Sequence, residues 1–206
     1  MPKGSPQLTA ARREEILSAC ERLYEEKPYA DILLRDIADR TTFTRTSIYN
    51  YFQSKEEIFL ALLEREFRSW SDDLEALLSQ ASLSRSALAD RLAKTLEKRT
   101  LMLKILSVSL SDLQENSRPE RLVEFNVAYG WSRMVMQDVV RRFLPGLTRD
   151  ERSDAILAIY EFLHGIWPYA HVSEKQCQAM KQAGVSHSDR SVYQIAYAGI
   201  LRLLSI

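Results

Sequence analysis

A chain of 206 residues, 46% of them hydrophobic, can bury a sizeable core, which excludes whole-chain disorder and fits a small module joined to a larger one. Its formal net charge is zero, so any nucleic-acid binding must come from a local cluster of donors and bases, not from a globally basic surface. No uncharged apolar run reaches the roughly 18–20 residues of a membrane span, the opening MPKGSPQLTA has no apolar signal core, and Cys20 and Cys177 stand far apart without a CxxC spacing. The expectation is a cytoplasmic protein with two reduced, mostly buried thiols.

Nearly every segment carries helical periodicity and none alternates as a strand does, which predicts an all-α fold. Pro2, Gly4 and Pro6 make residues 1–8 read as a flexible arm. A first helix follows Thr9, with Ile16, Leu17, Cys20, Leu23 and Tyr24 on one face, and Pro28 ends it. A second helix is predicted from Leu34 to about Arg40, and Thr44 reads as the N-cap of a third, with Ile48 and Phe52 inward. Ser54 to Glu57 form a capping box that opens a long fourth helix running past Trp70. Three short helices thus fill a module of residues 1–53, and residues 54–206 form a larger helical domain.

In that domain Ser84 to about Asp112 is predicted helical, in one piece or two. Ser117-Arg-Pro-Glu120 opens a helix that ends at Pro145-Gly146, and Thr148-Arg-Asp-Glu151 opens one that Pro168 should stop or kink. A short segment from Ser173 to Gly184 precedes a last helix from Asp189 to Leu204.

The stretch Leu34 to Lys55, LRDIADRTTFTRTSIYNYFQSK, carries the functional signal. Its first helix buries Ile37 and Ala38, Thr41-Thr42-Phe43 make the turn, and the second helix presents Arg45, Thr46, Ser47, Tyr49, Asn50 and Tyr51. A merely solvated face is usually rich in Glu and Lys. This one holds an Arg, hydroxyls, an Asn and two Tyr, with no acidic side chain to repel phosphates. Arg can bond guanine bidentately, Asn can read adenine, and hydroxyls and phenols reach phosphates or thymine methyls. The plain alternative is a helical hairpin in a bundle.

Over roughly the first 60 residues the chain resembles the TetR family of bacterial regulators. The resemblance is carried by Ile37-Ala38, Phe43-Thr44-Arg45, Ser47-Ile48-Tyr49, Tyr51-Phe52, Ser54-Lys55-Glu56 and Ile58-Phe59. It implies that the third helix reads DNA, that Tyr49 and Lys55 touch the backbone, and that Arg45 reads bases with Thr44, Thr46 and Ser47 beside it. It further implies that Arg35 meets the groove or a phosphate. Two departures stand out: Thr42 occupies a turn position that is usually Gly, and Leu33 stands where the second helix usually has a Thr cap, with Asp31 a substitute.

The last helix is apolar almost all round, and the helix from Thr148 carries Ile156, Ile159, Tyr160, Leu163 and Ile166. One face of each is expected to meet a second chain, giving a homodimer through about 149–167 and 189–204 and a palindromic operator on double-stranded DNA; complete burial within one chain is the alternative. Ala196 and Gly199 would let helices approach closely. By family analogy, an effector site falls among the helices of this domain. Phe67, Trp70, Met102, Phe125, Tyr129, Met134 and Trp167 are candidates to line it, with Ser109, Asn126, Tyr129 and His164 to orient a mostly apolar ligand. Ordinary core is the alternative for each.

His164, His171 and His187 form no HExxH motif, and GxGxxG, Walker and GxSxG motifs are absent, so neither an enzyme, a metal site nor a cofactor is expected. A helical adaptor would not need the face at 45–51. The sequence reading is therefore a ligand-responsive transcriptional regulator, most simply a repressor, without membrane association; an activator, or a repressor lacking an effector, stays open.

Overall fold

The computed structural model describes residues 5–42, 44–108, 110–186 and 188–205, with the backbone alone at residue 45. Its described residues form eleven α-helices and one 3-10 turn, with no strand, so the fold is all-α.

Helix α1, Pro6–Glu26, starts before Thr9 because the Ser5 hydroxyl accepts the Leu8 N–H at 3.3 Å and Pro6 occupies the first helical position. Residues 5–8 are therefore cap and first turn instead of arm. A 3-10 turn at Tyr29–Asp31 leads to α2, Leu34–Ala38, which is followed by α3, Arg45–Ile48, and α4, Lys55–Leu77. Ile16, Cys20, Ile32, Ile37, Ile48 and Phe52 are fully buried, and the rings of Tyr24 and Tyr29 meet Phe59 edge-on at 5.0 and 4.8 Å. Lys27 pairs with Asp36 at 2.7 Å, and Arg40 grips the Glu26 carboxylate at 2.9 and 2.7 Å, fastening α2 and its turn to the end of α1.

Beyond α4 come α5, Arg85–Glu97; α6, Thr100–Leu106; α7, Leu110–Glu115; and α8, Pro119–Phe143. The stretch expected in one piece or two is broken into three. The first break is set by tertiary bonds: Arg99 donates to Asp73 at 3.1 and 2.5 Å and to the Ser69 carbonyl at 2.9 Å, holding a non-helical residue against α4. Helix α9, Arg149–Ala170, begins at the anticipated Thr148–Glu151 capping box, and Pro168 is carried in its last turn without stopping it. Helix α10, Glu174–Gln182, ends at Gly184, whose φ of +69° supplies the left-handed residue that closes the helix. Helix α11, Val192–Leu203, completes the fold.

The chain divides into two compact units. The first comprises residues 1–65 and 108–128, the second 66–107 and 129–206. The sequence places a boundary at 53/54, whereas packing groups α7 and the first turns of α8 with the N-terminal helices, because Leu113, Phe125 and Ala128 are buried there. In the second unit Val192, Ala196 and Ile200 of α11 are buried as it packs on α5 and α9, while Ile195, Leu201 and Leu203 stay half-buried. The close approach expected of Gly199 is made within the chain: a Cβ there would stand 2.5 Å from Cε1 of Phe162 on α9.

Candidate nucleic-acid interface

Helices α2 and α3 form the helix pair read from the sequence. Thr42, at the turn position that is usually Gly, does not take a positive φ. Thr41 closes on the Ala38 carbonyl through both its N–H (2.9 Å) and its hydroxyl (2.8 Å), and the Thr42 N–H donates to Glu15 of α1 at 2.5 Å. These bonds hold the first two residues of the turn. Phe43 lies outside the described residues. Leu33 begins α2 without a side-chain cap; the Leu33 N–H donates instead to the Asp36 carboxylate at 3.2 Å, and Asp31, expected as the substitute, belongs to the 3-10 turn. Lys27 and that N–H hold the Asp36 carboxyl below its ordinary range.

Thr44 occupies the N-cap position of α3 with extended backbone, but its hydroxyl bonds the Ser47 hydroxyl at 3.1 Å in place of a backbone N–H. Helix α3 is a single turn that continues as bonded turns: Tyr51 and Phe52 N–H both reach the Ile48 carbonyl, at 2.8 and 2.9 Å. With Ile48 and Phe52 buried, Thr46, Tyr49 and Asn50 are exposed on one short segment, Tyr49 at 43%. Ser47 and Tyr51 are half-buried, and the Tyr51 oxygen accepts from Arg12 of α1 at 3.4 Å. The side chain of Arg45 lies outside the described residues.

Arg35 is exposed beside Asp36, 3.6 Å away. It lines a surface cavity of about 430 Å³ together with Ser54, Lys55 and Glu56. The Lys55 ammonium donates to the Tyr29 carbonyl at 3.0 Å and sits 4.2 Å over the Tyr29 ring. Burial, followed by the hydrogen bond to Glu56 at 2.9 Å, raises the Tyr29 phenol well above its ordinary range.

Sequence reasoning missed what holds this segment. Glu57, 1% exposed, accepts from the Gln53 N–H at 2.8 Å and from Arg118 three times: backbone N–H at 3.1 Å, Nε at 2.6 Å and Nη2 at 2.8 Å. Burial on its own raises the Glu57 pKa; Arg118 and the two backbone N–H groups outweigh it and leave the carboxyl below its ordinary range. Ser117 does not cap α8 as expected: its hydroxyl donates to the Leu113 carbonyl at 2.7 Å, and Arg118 takes the cap position, its N–H going to Glu57. The capping role of Glu57 was legible, whereas its partner sits 61 residues away.

The candidate ligand residues do not form one site. Phe67, Trp70, Tyr129 and Tyr160 pack as an aromatic cluster with centroids 5.3–6.3 Å apart. Phe67, Trp70 and Met102 are fully buried. Phe125 belongs to the first unit. Met134, expected to line an interior pocket, is 58% exposed, on a face of α8 with Val123, Val127 and Trp131. His164 donates through Nδ1 to the Leu106 carbonyl at 2.9 Å, and Trp167 stacks on His171 at 3.6 Å. Asn126 is spent on its own helix, donating to the Leu122 carbonyl at 2.8 Å, and Ser109 lies outside the described residues. A separate cavity of about 500 Å³ is lined by Phe162, Gly165 and Tyr169 of α9, Met180 of α10, and Arg190 and Ile195. Among the described residues no group of His, Cys, Asp and Glu could hold a metal, and no helix is long and apolar enough to cross a membrane.

A helix pair with a polar, acid-free second helix on a three-helix module, followed by a larger helical domain, defines a helix-turn-helix protein. The family model for bacterial regulatory proteins of the tetR family matches residues 16–62, and that for the tetracyclin repressor-like C-terminal domain matches residues 64–192. The chain belongs to the TetR family of bacterial transcriptional regulators. It is 34% identical over 84 residues to the regulator EthR of Mycobacterium tuberculosis, covering 41% of this chain and 34% of that one. With the repressor KstR2 of Mycolicibacterium smegmatis it shares 31% over 70 residues, 34% of each chain. The chain spans about a third of the length of these curated relatives. Among solved structures, a TetR regulator from Rhodococcus sp. RHA1 superposes with a TM-score of 0.60 at 16% identity, over 95% of this chain and 94% of that one. The regulator FadR from Bacillus halodurans gives 0.58 at 16%, over 93% and 97%. At these identities the likeness is one of fold.

Proposed function

We propose that the protein is a DNA-binding repressor that acts as a homodimer on a palindromic operator and is released by a small, mostly apolar effector. The observation that carries the reading is the short α3 segment, where Thr46, Tyr49 and Asn50 are exposed over a fully buried Ile48 and Phe52. Exposed phenol and carboxamide groups on a helix free of acids suit a major groove. Arg45 and Ser47 complete the base-reading set. Arg35, Ser54 and Lys55, which line one cavity, are the phosphate contacts, the Lys55 ammonium keeping donors beyond the one given to Tyr29. Repression is favoured by the likeness of the N-terminal residues to a relative named as a repressor.

Dimerisation is supported by exposed Leu157 and Tyr169 on α9 and by the half-buried apolar residues of α11. The effector belongs to the second unit. The aromatic cluster there is filled, so a ligand among Phe67, Trp70 and Tyr129 must displace packed rings, whereas the α9–α11 cavity has the volume of a small-molecule site. Selection from a random oligonucleotide pool tests the reading. An inverted repeat with half-sites about one DNA turn apart is the expected product; a pool without enrichment would refute it.

A further inference from the structure

The segment that bears the DNA-facing side chains is only one helical turn long, and its far end is held by α8. The Arg118 guanidinium donates to the Tyr51 carbonyl at 3.3 Å and to both oxygens of Glu57, whose Oε2 also takes the Gln53 N–H. One turn further along α8, Arg121 lies 5.7 Å from the centroid of the Phe52 ring, and Arg13 of α1 lies 5.5 Å from it. Glu124 joins the two cations, accepting from Arg13 at 2.8 Å and from Arg121. Residues 51, 52 and 53 are thus each met by a different group: a carbonyl by Arg118, a ring by the Arg13 and Arg121 guanidinium groups, and an N–H by Glu57. The buried Nε of Arg121 makes no hydrogen bond, so that side chain is placed by the ring and by Glu124 instead of by full satisfaction. Helix α8 itself continues from the first unit into the second.

We propose that Arg118, seconded by Arg121, is a positioning residue for DNA recognition: from the N-cap of α8 it sets the orientation of the α3 segment and thereby specific, as opposed to non-specific, DNA binding. This rests on α3 being the DNA-reading helix. The Arg118 guanidinium is spent on the Glu57 carboxylate and the Tyr51 carbonyl, and its assigned role needs no DNA contact. Its loss therefore leaves the phosphate contacts, and with them the salt-dependent non-specific affinity, in place. What changes is the register of the base-reading side chains. A lysine cannot replace it, because one ammonium lacks the planar fork that spans both Glu57 oxygens and the Tyr51 carbonyl.

The test compares full-length wild type, Arg118→Gln, Arg118→Lys and Glu57→Gln by specific and non-specific DNA affinity, and by hydrogen exchange. Arg118→Gln and Arg118→Lys are expected to lower the specific-to-non-specific ratio at least tenfold, with non-specific affinity within twofold of wild type. Exchange should quicken at residues 50–53 while residues 16–24 of α1 stay protected. An unchanged ratio, or exchange quickened equally through α1, would overturn the proposal, the second by reducing Arg118 to a general stabiliser. Should Arg118→Gln fail to fold, Glu57→Gln, which keeps an acceptor for Gln53, decides by the same readouts. Wild-type protein without any specific binding would refute the function, and the exchange at 50–53 would still decide whether Arg118 holds the segment.

Discussion

Replacing Gly199 by alanine tests a close helix approach in the second unit. Glycine inside a helix is about 1 kcal/mol worse than alanine, so its presence in the middle of α11 needs a reason. The structure supplies one: an added Cβ would stand 2.5 Å from Cε1 and 3.0 Å from Cε2 of Phe162. Either the ring or the helix must move by about 1 Å, and overpacking of this kind costs about 1–3 kcal/mol. Phe162 borders the 500 Å³ cavity and can swing toward it, which puts the cost near the low end. Gly199→Ala is then expected to be neutral to about 2 kcal/mol destabilising, once the propensity gain of about 1 kcal/mol is subtracted. The decisive quantity is the coupling. With Phe162→Ala already in place the clash is gone, and Gly199→Ala should stabilise by up to about 1 kcal/mol. Urea unfolding of the four proteins at one protomer concentration gives the cycle. A coupling of at least about 1 kcal/mol is expected; additivity within about 0.3 kcal/mol would refute the packing argument.

Other outcomes follow from single groups. Trp70 Nε1 donates to Thr95 Oγ1 at 2.9 Å in a buried site, so Thr95→Val strands the indole N–H and should cost about 1–3 kcal/mol of stability, read as a lower urea midpoint at unchanged m, whereas Thr95→Ser retains the bond; equal losses in both would contradict this. The folded-state pKa of Glu57 is depressed, so its contribution is fully present above the unfolded value of about 4.3 and is lost as pH falls through the folded one. The stability gap between wild type and Glu57→Gln should therefore narrow in acid, and a gap independent of pH would show that the charge is not what matters. Burial pushes the Cys20 thiol far above its ordinary range, while Cys177 is half-buried and unpaired. A thiol reagent should label Cys177 and spare Cys20 in the native protein; rapid labelling of both would mean that the α1 core opens readily.

The parts of the fold that depend on local pattern were legible in the sequence. The Thr148–Glu151 box, the apolar face of α1 and the helix pair at 34–52 follow from residues a few positions apart. What was not legible depends on partners distant in the chain. The break at Arg99 has no Gly or Pro to announce it and exists because Asp73 and the Ser69 carbonyl hold the side chain. Ser117 has the form of a cap, but a better acceptor, Glu57, comes from another helix. Aromatic and Met content marked both the core and the surface: Phe67 and Trp70 are buried, whereas Met134 and Trp131 share an exposed face of α8. Composition alone does not distinguish these settings, because burial is decided by which face of a long helix meets its neighbours. The polar exposed face of α3 was readable because its signal is chemical, an acid-free run of donors over two buried apolar positions.

The central claim is tested most directly by a salt-titrated binding assay on a selected site, comparing wild type with Arg45→Ala and Tyr49→Ala. The account expects specific binding that weakens steeply with added salt and falls at least tenfold in each variant. Wild-type affinity retained by both would contradict it, since DNA would then be held by some surface other than α3.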